Sequence, residues 1–230
     1  MVEKAFAAKT VNGHIAYLIS LFQLLVEREI IQHNTFQGIK KHKEGSSRKN
    51  QAFSPTQIEM IKPIIQQQDP KVWLFIQFIY YCYLIPNEVR QLRKQFIQLE
   101  KRQVFIPNYI SKNVQEGYVT IPEVFYHELK ESEVYQQSVD FIFQGHNPNK
   151  PISKNNMGRR LHILIKELEL GSDYTLYSWK HSRVVAAYNA GVDIKTIQCQ
   201  CRHHSLEQTD VYLKSLGIGV NQAINSIPVL

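Results

Sequence analysis

The first part of the chain carries one long helical pattern of apolar positions. Apolar side chains recur every three or four residues from Ile15 to Val26, with polar residues between them, so residues 11–30 are predicted to form an amphipathic helix. Residues 39–50 carry five lysines or arginines and almost no apolar side chains. That composition is typical of a solvated linker. The alternative to a mobile tether is a strap that contacts a charged partner.

The pattern after the linker predicts a helical core. Ser54-Pro55-Thr56-Gln57 combines a capping serine, a proline at the first helical position and a glutamine at the third, so a helix should begin here. The run 72–83 is apolar nearly all round and is predicted to be a buried helix. Pro86 should begin another helix, which the pattern continues through Gln98.

Short β-branched and aromatic runs follow, separated by polar turn residues. They comprise Val104–Ile106, Tyr109–Ile110 and Tyr118–Ile121, and they predict a small antiparallel sheet.

Four more helices are predicted towards the C-terminus. Ser153 should cap a helix that runs to Glu169, and further helices fit 178–190 and 193–201. A last helix carries Tyr212. The predicted fold is therefore mostly α with a small antiparallel β-sheet, preceded by a helical fragment.

Composition narrows the class of protein. The 230 residues are 43% hydrophobic, which predicts a globular chain with a sizeable core. Three cysteines, an odd number, and the lack of an export signal or of an apolar run long enough for a membrane predict a cytoplasmic protein in a reducing compartment. The net charge of +7 modestly favours a polyanionic partner.

The C-terminal third contains a pattern of chemistry-bearing residues. Tyr177 and Lys180 precede the run AGVDIKTIQ at 190–198, and His203 and Tyr212 follow it. In type and spacing these positions resemble the C-terminal signature of the tyrosine recombinases, the phage integrase family. That signature reads His-x-x-Arg, a similar glycine-containing run, Gly-His and a nucleophilic tyrosine. Lys180 then stands at the second arginine of the family and Tyr177 at its first histidine.

The resemblance extends over most of the chain. Residues 111–122 resemble a β-hairpin whose lysine, here Lys112, acts in catalysis. Pro86-Asn87-Glu88-Val89 resembles the arginine box, but Ile85 occupies the position of its arginine. The resemblance implies three parts, which are a partial core-binding domain over 1–38, a basic linker over 39–53 and a catalytic domain over 54–230.

The resemblance also implies a reaction. A tyrosine hydroxyl, that of Tyr212, attacks a phosphodiester and forms a 3′-phosphotyrosine with a free 5′-hydroxyl, so neither ATP nor a metal or other cofactor is needed. Lys112 would protonate the leaving 5′-oxygen, and His203 would donate to the phosphate or help to deprotonate Tyr212. Lys180 would partly replace a phosphate-binding guanidinium group.

Each residue also has a purely structural interpretation. Lys112 could be a solvated turn residue, and Tyr212 could be a half-buried helix residue with its hydroxyl at the surface. For Tyr177 the structural interpretation is favoured, because a phenol is a poorer proton carrier than an imidazole near neutral pH. Arg90 is a weak substitute for the arginine that is missing at position 85, because five residues along a helix turn about 140° around its axis. Arg93 and Arg183 are poor substitutes too.

Cys199, Cys201, His203 and His204 form a cluster of soft ligands within six residues. Structural zinc sites normally draw on two separated pairs, and adjacent residues on one helix cannot all face one ion. No metal site is therefore expected.

Double-stranded DNA is the expected partner. Six basic residues are predicted to contact its phosphates, three in the linker and three near a helix start: Lys40, Lys41, Lys43, Lys154, Arg159 and Arg160. The resemblance implies a homotetramer on DNA, and the apolar stripe of the tail beyond Gly217 is expected to pack on a neighbouring protomer. Two functions remain open, a site-specific recombinase of a mobile element and a recombinase-like DNA-binding protein impaired in cleavage by Ile85.

Overall fold

The computed structural model describes residues 6–43 and 50–218. The chain divides into two compact units, Met1–Arg48 and Lys49–Leu230. Among the described residues no helix is long and apolar enough to cross a membrane. The apolar stripe expected in the tail lies outside the described residues.

Over residues 6–43, the first unit contains one helix with a segment folded back along it. Helix α1 spans Ala8–Glu27, three residues earlier at each end than predicted. The side chain of Asn12 accepts from the backbone N–H of His42 at 2.8 Å and donates to its carbonyl at 2.9 Å. Asn34 donates to the carbonyl of Ile19. The beginning of the basic stretch is therefore anchored to α1, while Lys40, Lys41 and Lys43 are exposed.

The core of the second unit is built around helix α3. Helix α2 (Pro55–Gln68) begins with the predicted capping box, in which Ser54 and Gln57 bond each other's backbone N–H groups. Helix α3 (Pro70–Cys82) is buried over most of its surface, as its apolar sequence predicts. Trp179, which is 1% exposed, brings a third helix into this core.

The helix predicted from Pro86 to Gln98 is wrong beyond its first turn. Helix α4 spans only Pro86–Arg90, and a 3₁₀ turn at Lys94–Phe96 leads into strand β1 (Ile97–Gln98). The backbone of residues 92–94 bonds instead to residues 140–142, through Ile142 N to Leu92 O and Lys94 N to Asp140 O. This long-range pairing takes the groups that a continuing helix would use.

The predicted antiparallel sheet is confirmed. Strands β2 (Gln103–Ile106) and β3 (Gly117–Thr120) pair in the order β1-β2-β3. Tyr109–Ile110 is not a strand, because the N–H groups of Ile110 and Ser111 both bond to the carbonyl of Pro107 in a turn. The loop that joins β2 to β3 carries Lys112.

Six more helices follow among the described residues of the second unit. They are α5 (Glu123–Glu131), α6 (Glu133–Gln136), α7 (Asn156–Lys166), α8 (Leu176–Asn189), α9 (Ile194–Cys201) and α10 (Leu206–Ser215).

Helices α8 and α9 lie close to their predicted ranges, and α10 carries Tyr212 as predicted. The range predicted for α7 is wrong at both ends. Ser153 caps no helix, because Ile152 is held in an extended segment by its bond to Phe143 and α7 begins only at Asn156. The helix ends at Lys166, before the predicted Glu169.

Helix α9 also fastens the edge of the sheet. The side-chain amide of Gln200 donates to the carbonyl of Thr120 at 2.8 Å and accepts from its N–H at 3.1 Å. The amide thus bonds β3 as a neighbouring strand would. This contact fixes the β2–β3 hairpin against the C-terminal end of α9.

We expect Ser182→Ala to destabilise the second unit by about 1–3 kcal/mol, because a buried N–H loses its acceptor. The Ser182 hydroxyl accepts from Phe53 N at 2.8 Å and donates to Ser178 O at 2.8 Å. Urea unfolding measures the loss. Ser153→Ala is the control, and it should change the free energy of unfolding by less than about 0.5 kcal/mol because this exposed side chain caps nothing. Equal effects of the two substitutions would contradict the assignment.

Candidate active site

Four segments of the second unit, together with Asn50, meet at a cavity of about 410 Å³. The start of α4, the β2–β3 loop, α8 and the segment from α9 into α10 each contribute side chains. Five predicted catalytic residues line it: Lys112, Tyr177, Lys180, His203 and Tyr212. Residues that the sequence analysis did not assign to the site line it as well: Asn50, Glu88, Asn113, His181, Cys201, Arg202 and Gln208.

Tyr212 lies on α10 with its hydroxyl bonded inside the cavity. The hydroxyl is 2.6 Å from Nδ1 of His181. Burial raises the pKa of Tyr212 above its usual value of 10.0, and nearby Cys201 raises it further. The phenol is therefore protonated at neutral pH, so a proton acceptor is required before its oxygen can act as a nucleophile.

His181 is such an acceptor. Burial, with a smaller contribution from the charge of Lys180, lowers the pKa of His181 to about 4. The ring is therefore neutral at pH 7, and in its Nε2–H tautomer Nδ1 accepts a hydrogen bond from Tyr212. His181 was not predicted from the sequence to be a site residue. Tyr177 was the available signal, because positions four apart share one face of a helix and the two rings lie 5.6 Å apart.

His203 follows α9 and is oriented by Thr209. The hydroxyl of Thr209 donates to Ser205 O at 3.3 Å and lies 3.0 Å from Nδ1 of His203. Because that hydroxyl has only one proton, it accepts from Nδ1–H, which leaves Nε2 of His203 for another partner. Burial and the charges of Lys180 and Lys112 lower the pKa of His203 to about 4.

Two lysines line the same cavity, and one is buried while the other is exposed. Lys180 is only 6% exposed, and burial is the main cause that lowers its pKa below 10.5. The charges of Arg202 and Lys112 lower that pKa further, while Cys201 and Glu88 raise it. Lys112 is exposed at the tip of the hairpin loop. Several cations thus converge on one cavity, an arrangement that favours an anion.

A buried carboxylate, that of Glu88, organises the other side of the cavity. It is 0% exposed and accepts from the backbone N–H of Ile85 at 3.1 Å and of Lys112 at 3.2 Å. Arg202 donates to the same carboxylate through Nη2 at 2.5 Å. The side chain of Ile85 lines the cavity and offers no hydrogen-bond donor there.

Tyr177 also lines the cavity. Burial raises the pKa of Tyr177 to about 12, and Glu88 and Cys201 contribute to the rise. The phenol can therefore donate a hydrogen bond but does not ionise near neutral pH.

Arg90 does not line this cavity. Its guanidinium group donates to the carbonyl of Ile152 at 3.1 Å and to the side chain of Asn87 at 3.3 Å. Arg183 also points elsewhere, over the rings of Tyr80 and Tyr81.

The basic residues near α7 separate into two places. Lys154 and Arg159 line a second cavity of about 730 Å³, which shares Asn50 and Tyr177 with the first. Arg160 instead forms a bidentate ion pair with Asp69, at 2.7 and 2.5 Å. Its guanidinium group is therefore engaged within the protein.

The cysteine and histidine cluster does not converge on one point. Cys201 is buried and Cys199 is exposed. Within residues 6–43 and 50–218, no group of three or more histidine, cysteine or acidic side chains is placed to hold a metal ion.

Comparison with known proteins identifies the family. The profile of the phage integrase family matches residues 38–217. The chain is 20% identical over 225 residues to tyrosine recombinase XerC of Pediococcus pentosaceus. The aligned region covers 92% of this chain and 73% of the relative. Solved structures share the fold, including structures determined in complex with DNA. The Tn1549 transposon integrase bound to a circular intermediate DNA has a TM-score of 0.74 at 17% identity, over 97% of this chain and 79% of its own. A λ integrase dimer bound to a core site has a TM-score of 0.75 at 13% identity. The match covers 94% of this chain and 62% of the λ integrase chain. The chain therefore belongs to the phage integrase family, the DNA-recombining tyrosine recombinases.

Proposed function

We propose that this protein cleaves and rejoins DNA strands through a 3′-phosphotyrosine intermediate at Tyr212. The observation that carries the proposal is the 2.6 Å contact between the Tyr212 hydroxyl and Nδ1 of His181. The contact lies in a cavity that Lys112, Lys180 and His203 also line. A nucleophile beside a base, surrounded by phosphate-binding cations, is the arrangement that phosphoryl transfer to a side chain needs.

The first step transfers two protons and exchanges one P–O bond for another. Nδ1 of His181 takes the proton of Tyr212 as the phenolic oxygen bonds to phosphorus. The bond between phosphorus and the 5′-oxygen breaks, and its electron pair leaves with that oxygen. Lys112 donates the proton that makes the leaving group a free 5′-hydroxyl. Reversal of the same steps rejoins the strand, so the phosphate bond energy is retained.

The other side chains stabilise negative charge on the phosphate. Nε2 of His203 can donate to a non-bridging oxygen once the ring is protonated, and Lys180 supplies a charge held in a buried position. Charges and dipoles fixed before the reaction stabilise a transition state more than mobile groups do. The low pKa of both histidines, about 4, keeps both rings neutral before DNA binds. The proton of Tyr212 goes to His181, and His203 takes its proton from solvent when the charge of the bound phosphate favours the charged ring.

Double-stranded DNA is the proposed substrate. The exposed Lys40, Lys41 and Lys43 and the cavity-lining Lys154 and Arg159 are the proposed phosphate contacts. Arg160 contributes less, because Asp69 already neutralises it. We also propose that the protein acts as a homotetramer on DNA. The proposed core-binding part, linker and catalytic domain span residues 1–38, 39–53 and 54–230.

An alternative function is DNA binding with impaired cleavage. It is favoured by Ile85, whose aliphatic side chain lines the cavity at the position of the family's first arginine. Loss of one donor to a developing oxyanion costs about 10²–10³ in rate. The yield of covalent adduct separates the two functions.

Tyr212→Phe should abolish the covalent adduct on nicked suicide duplexes with a randomised central sequence, because no oxygen remains to attack. His181→Gln should slow adduct formation by about 10²–10⁴, the usual contribution of a general base. A denaturing gel measures both. Tyr126→Phe and His127→Gln are matched controls outside the cavity, and both should react like the unmodified protein. Adduct formed by Tyr212→Phe would refute the assigned nucleophile.

The pH profile should reflect the low pKa of the base. A base acts when it is deprotonated, so with a pKa of about 4 the cleavage rate should stay level from pH 7.5 to 5.5. It should fall only as the pH approaches 4. Rates at subsaturating DNA report the free protein. A base with the ordinary histidine pKa of about 6.5 would instead lose about tenfold over that range, and such a loss would exclude His181 as the base.

The basic stretch should contribute to affinity without reading sequence. Replacing Lys40, Lys41 and Lys43 by alanine should lower the slope of log affinity against log salt by about two to three, because each neutralised phosphate adds about 0.9. Preference among DNA sequences should stay the same. Replacing Lys101, Lys130 and Lys166, also exposed, removes the same net charge elsewhere and should leave the slope nearly unchanged. If both triple variants gave equal slopes, residues 40–43 would be a connecting segment that does not contact DNA phosphates.

A further inference from the structure

We propose that Arg202 supplies the phosphate-binding guanidinium group that Ile85 lacks. The inference rests on the proposed strand cleavage and names a further residue for the same phosphate. Arg202 directly precedes His203, where the family signature has the glycine of its Gly-His pair. Compared with the family signature, this chain would thus lack an arginine at position 85 and have an additional one at position 202.

The backbone at Arg202 favours glycine. Arg202 ends α9 in the left-handed conformation, with φ 55 and ψ 44. Glycine adopts this region without steric penalty, whereas a residue with a side chain is strained there. The arginine side chain must therefore make interactions that offset this strain.

The guanidinium group of Arg202 bonds to Glu88, which lines the cavity with it, and to Ser111. Nη2 bonds to Oε1 of Glu88 at 2.5 Å, and Nη1 lies 3.4 Å from the hydroxyl of Ser111. The side chain is 16% exposed, and its Nε is buried with no hydrogen-bond partner among the described residues. A guanidinium group carries five N–H donors. Arg202 therefore keeps donors for a ligand after its protein contacts are made.

Glu88 places this group at the Ile85 side of the cavity. The same carboxylate accepts the backbone N–H of Ile85 and of Lys112. The guanidinium group is thereby held on the same carboxylate as the backbone of Lys112 and of Ile85, which stands where the family has its arginine. Its planar fork suits two oxygens of one phosphate.

A purely structural ion pair with Glu88 is the competing explanation. Breaking a buried pair destabilises a protein whether or not the pair touches the substrate. A role in the reaction differs in one measurable way, because it depends on the negative charge of the scissile phosphate. An uncharged methylphosphonate at that position removes this charge.

The test compares Arg202→Gly with the unmodified protein on suicide duplexes recovered from the randomised pool. With a phosphodiester, Arg202→Gly should form adduct about 10²–10³ more slowly. With a methylphosphonate at the scissile position, the two proteins should react nearly equally. An equal loss on both substrates would make Arg202 structural and overturn the proposal. Arg102→Gly is the matched control, since Arg102 also has a positive φ of 50 and its side chain pairs with Glu123 outside the cavity.

A second variant guards against loss of folding. Ile85→Arg in the Arg202→Gly background returns a guanidinium group to the cavity and should restore most of the phosphodiester rate. Arg202→Lys keeps the charge without the fork and should fall between the unmodified protein and Arg202→Gly. Unchanged cleavage by Arg202→Gly would also overturn the proposal.

The failure of strand cleavage itself gives a different result. If neither the unmodified protein nor Ile85→Arg forms an adduct from the pool, the proposed function fails and Arg202 has no reaction to serve. If Ile85→Arg forms adduct while the unmodified protein does not, the site can cleave but Arg202 does not replace the lost arginine. If the unmodified protein cleaves DNA and Arg202→Gly loses cleavage only on the phosphodiester substrate, both the proposed strand cleavage and the proposed role of Arg202 are supported.

Discussion

The site depends on the hydrogen bonds and the ion pair that the buried carboxylate of Glu88 makes. It binds the start of α4 through Ile85 N, the hairpin loop through Lys112 N and the end of α9 through Arg202. Three segments far apart in sequence are thus joined at one side chain that is 0% exposed. A buried charge is stable only when it is paired and hydrogen-bonded, so none of these contacts is dispensable by itself. The amide of Gln200 reinforces the arrangement by fastening β3 to α9.

Helix α8 connects the chemistry to the hydrophobic core. Trp179 is packed among the core side chains, while Lys180 and His181, the next two residues, line the cavity. Successive residues turn by about 100° around a helix, so one element can serve both the core and the site. Burial is also what lowers the pKa of His181. The same packing that stabilises the fold therefore keeps the proposed base neutral.

Local patterns in the sequence predicted some parts of the molecule and left others out of reach. The capping box at 54–57 and the apolar run of α3 depend on neighbouring residues, and both are confirmed. The helix expected through 91–98 is interrupted because its backbone pairs with 140–142, and no local pattern encodes that partner. His181 was within reach, one helical turn from Tyr177. Arg202 was not, since only the backbone conformation and the position of Glu88 direct its side chain into the cavity.

The bidentate contact between Asn12 and His42 has an entropic consequence for DNA binding. Both backbone groups of His42 are bonded to one side chain of α1, so the chain is already restricted beside three exposed lysines. Ordering a free residue costs about 1–2 kcal/mol in lost backbone freedom. Much of that loss is incurred here when the first unit folds, before any duplex arrives. Attraction between these lysines and phosphate is thus offset less by chain ordering than it would be for a random coil of the same composition.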